Sequence, residues 1–127
     1  MLLLLAIIAG ALALGGVYAV ATPLWQAPDE PAHYNYVRTI AAGQGLPVLG
    51  PGDWDAPLLE ELKSQRFPAN RSVEPIRYES HQPPLYYLLL APVLAFSADQ
   101  PLATQVTALR FGSLAWFALM LATAYAT

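Results

Sequence analysis

Two short polar groups in an otherwise oily chain hold the residue types that do chemistry. The first is Asp29 and Glu30, adjacent carboxylates followed by His33 and Tyr34. A carboxylate just outside an apolar span can act as general base toward a hydroxyl or amine. At helical spacing Asp29 and His33 form an i, i+4 pair in which the imidazole orients the carboxylate or touches an anionic group. The same acids have a purely structural use, since carboxylates at a helix start cap free amides and oppose the dipole. The second group is His81 and Gln82, directly before Pro83 and Pro84. The first amides of a helix beginning there point outward, so a phosphate can rest on them with His81 and Gln82 as side-chain partners. The structural alternative has His81 capping that helix while Tyr86 and Tyr87 anchor it at an interface. Arg110, the only charge in residues 102–127, either snorkels as an anchor or holds an anionic ligand. Two His and several carboxylates also admit a divalent cation, Mg or Mn, although no H-x-x-x-H or comparable spacing is present.

The elements that must position these residues follow from where the charge lies. Apolar residues make up 56% of the chain and charged ones 12%, outside the usual soluble balance. Thirteen of the fifteen charged residues fall between Asp29 and Glu79, so the chain is polar in the middle and oily at both ends. With five basic and eight acidic residues there, the segment offers no basic patch, and nucleic-acid binding is set aside. The absence of cysteine removes disulfides, thiolate metal sites and a cysteine nucleophile.

Residues 2–22 contain no charge and reach about 32 Å as a helix, enough to span a bilayer. A cleaved signal peptide is the rival, because Ala19, Val20 and Ala21 form a small-x-small site; the lack of Lys or Arg ahead of the run argues for a retained span. Residues 102–127 form a second, tilted span. The chain then stops without a polar tail, the pattern of a piece of a longer protein. Residues 84–96, about 20 Å as a helix, are too short to cross and belong at the interface, with Pro92 kinking them. The loop, residues 23–83, starts with an amphipathic helix over about 30–43. Asp29 is its N-cap, Gly43 its stop, and His33, Tyr34, Val37, Ile40 and Ala41 form a face suited to lying on the membrane. A weaker helix is expected over 57–65, with Leu58, Leu59 and Leu62 on one side. Asp53 and Asp55 flank Trp54 as a turn with an interfacial aromatic, a pairing also suited to carbohydrate. Charge alone leaves the loop's side open, since no Lys or Arg precedes the first span and the loop holds five.

In order, the chain reads an apolar span, Pro28-Asp29-Glu30-Pro31-Ala32-His33-Tyr34, a loop, His81-Gln82-Pro83-Pro84-Leu85-Tyr86-Tyr87, and Ala108-Leu109-Arg110-Phe111 within a span. This set resembles the N-terminal module of GT-C superfamily membrane glycosyltransferases, which use polyprenyl-phosphate-linked sugars. It is most similar to bacterial members akin to the aminoarabinose transferases and protein O-mannosyltransferases. The resemblance implies an all-α integral membrane protein of the bacterial plasma membrane, with two transmembrane helices flanking an extracytoplasmic loop that carries juxtamembrane amphipathic helices. It implies a polyprenyl-phosphate sugar donor and Asp29 as catalytic base. Glu30 supports Asp29 or assists a metal, and His33, Tyr34, His81, Gln82 and Arg110 hold acceptor or phosphate. Many relatives have Lys or His just before the Pro-Pro pair; here Gln82 stands there and His81 one place earlier, which shifts the phosphate role to His81. The competing class is a small two-span membrane protein without enzymatic activity, in which the motifs only cap helices.

Overall fold

A computed structural model describes residues 2–126, and every regular element among them is helical. In order they are α1 (Leu2–Ala21), α2 (Glu30–Ala41), α3 (Ala56–Ser64), a 3-10 turn (Tyr78–His81), α4 (Leu85–Phe96) and α5 (Leu102–Ala126). Thr127, the last residue of the expected second span, lies outside the described residues.

Two helices, α1 and α5, are long and apolar enough to cross a membrane, with mean hydropathies of 2.4 and 1.4 over their most apolar stretches. The rest of the chain covers little of either: Leu3, Leu14, Val17 and Val20 on α1 and Leu119, Met120 and Tyr125 on α5 are all exposed. Such uncovered apolar surface separates these helices from the core helices of a water-soluble domain. They pack antiparallel, Gly15 of α1 against Leu114 and Gly16 against Phe111. Leu114 Cδ2 fills the space a Cβ at Gly15 would need, so the missing side chain is what admits the contact.

The register of this pair places Arg110 level with the end of α1, and the first two turns of α5 rise beyond it. There Val106 and Leu109 are buried against a second tier made of α2 and α4. Tyr36 of α2 stacks flat on Tyr87 of α4, ring centroids 3.6 Å apart and 4° from parallel. Leu90, Ala91 and Leu94 of α4 close over Tyr34 and Val37. The face of α2 expected to lie on the membrane is therefore turned onto α4, because an aromatic and aliphatic partner surface is available within the chain. In α4 the outward face, with Leu85, Leu88 and Phe96, stays apolar and exposed. At 12 residues it reaches only about 18 Å, and it runs through Pro92 as one element.

Capping residues set the helix limits. Gly43, at φ 71°, closes α2 with its own amide donating to Ile40 O and the Gln44 amide to Thr39 O, the paired bonds of a left-handed helix stop. Asp55, not its neighbour Asp53, caps α3 by accepting from the Leu58 amide at 2.9 Å. Asp53 accepts from the Gly50 amide and closes the preceding turn. Leu59 and Leu62 of α3 are buried with Ala32 and Ile76, while Leu58 is only partly covered.

Candidate functional site

Between α1 and α2 the chain makes two successive turns, 23–26 and 27–30, each closed by a backbone bond: Gln26 N–H to Pro23 O and Glu30 N–H to Ala27 O. The third residue of each has a positive φ, 64° at Trp25 and 58° at Asp29. A left-handed conformation costs an L-residue about 1–2 kcal/mol, less for Asp than for Trp, so the surroundings must hold it. They do so at Trp25, whose amide donates to Glu30 Oε2 at 2.9 Å and whose buried ring meets Tyr34 edge-on.

The two adjacent carboxylates consequently part company. Glu30 turns toward α5 and takes a two-pronged bond from Arg110, Nε to Oε1 at 2.6 Å and Nη2 to Oε2 at 2.8 Å. Both side chains of this pair are largely buried. Arg110 spends its other N–H groups on the end of α1, donating to Ala19 O, Thr22 O and Pro23 O. All five donors of the guanidinium are thus matched within the chain. Arg110 stands at the end of α1, where it caps the last carbonyls and also borders both cavities on the α5 side. Glu30 likewise has both oxygens engaged, and among the described residues no three His, Asp or Glu side chains cluster to hold a metal. The metal-assisting role expected of Glu30 therefore does not fit these residues.

Asp29 points the other way, exposed, and accepts a 2.6 Å bond from the phenol of Tyr78. Although it occupies the N-cap position of α2, its side chain makes no capping bond; the left-handed backbone turns the carboxylate away from the first helical amides. The structural use foreseen for Asp29 is corrected accordingly. The Asp29 and His33 side-chain pair is also absent: His33 is hydrogen-bonded through Nδ1 to the Tyr87 hydroxyl at 2.9 Å. Tyr34, buried, donates to Gln105 Oε1 on α5.

Tyr78 enters from the 3-10 turn. Its phenol is pushed well above the usual tyrosine value, first by burial, then by the bond to Asp29 and the charges of Asp29 and Glu79, so it stays a donor. Tyr87 is raised for similar reasons, burial first and then the charge of Glu79. His81 closes its own turn, Nδ1 donating to Tyr78 O at 2.8 Å, and remains exposed. No side chain caps α4, so His81 is not its cap. Gln82 binds Glu79 with its amide and accepts from Tyr36 on its carbonyl. Asn35, which sequence reading passed over, pins the loop to α2 by donating to Val73 O and Ile76 O.

Three cavities meet at Ala27 and Pro28. On the α5 side, a groove of about 570 Å³ runs between α1 and α5 past Tyr18, Leu114 and Phe117 to Glu30 and Arg110. A smaller space of about 180 Å³ is bounded by His33, Tyr86, Leu90 and Arg110. On the opposite side a more polar cavity of about 290 Å³ contains Asp29, Tyr78 and Lys63 over Leu59 and Phe67. His81 is not among the residues bounding the Asp29 cavity. Sequence reading gave Tyr78 no partner and took Tyr87, which is buried, as an interfacial anchor, because only the tertiary fold carries them to Asp29 and His33. No family model, curated protein or solved structure matches the chain.

Proposed function

We propose that this chain is the catalytic head of a membrane glycosyltransferase, moving a sugar from a polyprenyl-phosphate carrier to an acceptor on the outer face of a bacterial plasma membrane. Asp29 is the base. It takes the proton of an acceptor hydroxyl or amine as that atom bonds to the anomeric carbon, the bond from that carbon to the phosphate oxygen breaks with inversion, and polyprenyl phosphate leaves. His33, which borders the adjoining apolar space, and His81, outside the Asp29 cavity, are the imidazoles available to acceptor or phosphate. The observation that carries the reading is the state of Asp29: an exposed carboxylate in a strained backbone, withheld from helix capping and directed by one phenol into a cavity. The arrangement of cavities supports it too, since a lipid-linked donor needs an apolar approach and its acceptor a polar one, and these adjoin across Ala27 and Pro28.

A purely architectural role has its own support in Glu30, Arg110, Tyr34 and Gln82, all of which are satisfied within the chain. Asp29→Asn separates the two. Asn accepts a left-handed backbone as Asp does, so the fold is retained while the base is lost. General-base catalysis contributes about 10² to 10⁴ in rate. Release of polyprenyl phosphate from the sugar-charged carrier, measured on the intact protein in proteoliposomes, should therefore fall at least about a hundredfold. A folded Asp29→Asn protein that transfers sugar at the native rate removes Asp29 from the reaction and leaves the architectural reading.

A further inference from the structure

The cavity that contains Asp29 holds one other charged side chain, Lys63, and nothing in the sequence motifs involves it. Lys63 arrives there because Leu59 and Leu62 bury one side of α3, which sets the last turn of that helix beside the cavity. Among the described residues its ion-pair partner is Glu60, at 3.2 Å on the exposed side of the same helix. An i, i+3 pair this exposed is weak and screened by water, so a ligand anion readily takes the ammonium from it. The cavity's volume, about 290 Å³, lies at the small end of ligand sites, enough for one ring or end group. Its floor is apolar, formed by Leu59, Phe67 and Pro31, and its wall is Tyr78. Trp54, 61% exposed and outside the lining itself, meets Tyr78 edge-on with ring centroids 4.8 Å apart and so extends the aromatic surface beyond that wall.

We propose that this cavity is the acceptor subsite of the transferase described above, and that it selects a sugar-sized, hydroxyl-bearing group carrying a negative charge, which Lys63 reads. The inference rests on Asp29 acting as base. A carboxylate alone would repel an anionic acceptor; Lys63, in the same lining, more than offsets that repulsion for a group seated with its charge at the ammonium and its hydroxyl toward Asp29. The apolar floor and the Trp54 and Tyr78 rings suit the C–H faces of a sugar ring.

Binding without donor tests this apart from catalysis. Saturation-transfer NMR on the intact protein in nanodiscs would compare D-glucuronate with D-glucose. Glucuronate should bind about fivefold more tightly, the scale of one exposed charge pair. Lys63→Gln should abolish or reverse the preference, Trp54→Ala should weaken both alike, and Asp29→Asn should keep a preference for glucuronate. Equal affinity for the two sugars in the native protein, a preference that survives Lys63→Gln, or no binding of either at tens of millimolar overturns the proposal, whatever Asp29 does. Conversely, an Asp29→Asn protein that still transfers sugar, together with a preference abolished by Lys63→Gln, upholds an anion-selective cavity and removes only the catalytic reading.

Discussion

Arg110 makes five bonds with one side chain, two to the carboxylate of Glu30 and three to carbonyls at the end of α1. Removing one member of such a largely buried pair costs about 3–5 kcal/mol, because the other charge is stranded. Arg110→Ala and Glu30→Ala should each lower stability by about that much, and the double variant by much less than their sum. Thermal melts in detergent check this; strictly additive losses would show that the two do not act as a unit. The buried tyrosines give a second residue-scale expectation. Tyr34, Tyr78 and Tyr87 all have raised pKa values, burial being the first cause in each. Their neutral forms therefore stabilise the fold in full below about pH 10, and that contribution is lost as the pH rises from there toward the raised folded-state values. Unfolding should become easier in alkali, and Tyr78→Phe should blunt the effect. An alkaline stability profile that stays flat above pH 10 would contradict it. Sequence could name Asp29 but not its setting, since a carboxylate that caps a helix and one turned away from it are the same letter until the backbone φ is known.

At the scale of elements, helix limits were the most legible part. Gly43 marked the end of α2, and apolar length separated α1 and α5 from the shorter α4. The stop of α3, expected at residue 65 and found at Ser64, carries no glycine; Arg66 and Phe67 take the positive φ there. The destination of the α2 face was not legible, because an amphipathic pattern reads alike whether lipid or another helix covers it. Where helices touch, Gly112 lets α5 approach α4: a Cβ there would lie 2.8 Å from Leu90 Cδ2 and 3.5 Å from Val93 Cγ2. Gly112→Leu should cost about 1–3 kcal/mol or more by overpacking, loosening the tier that buries Tyr34 and Val37. A Gly112→Leu protein with an unchanged melting temperature would mean that α4 and α5 are free to separate.

For the whole molecule, the antiparallel α1 and α5 put the α2 to α4 tier at one end of the pair. If both cross the membrane, a cysteine at Ser64 and another at Asp99 should be labelled by an impermeant reagent from the same, outer side. Labelling of the two from opposite sides would require α4 to cross and would end the two-span topology. The guanidinium at the end of α1 has a further meaning once synthesis is considered. Arg110 lies 91 residues after Ala19 and 88 after Thr22, so the carbonyls it pairs with are made long before it exists. Until α5 emerges, those oxygens have only water to bond. If α1 crosses a membrane, the nascent helix must keep this end at the hydrated boundary of the bilayer, and the arrival of α5 is the step that locks it in depth.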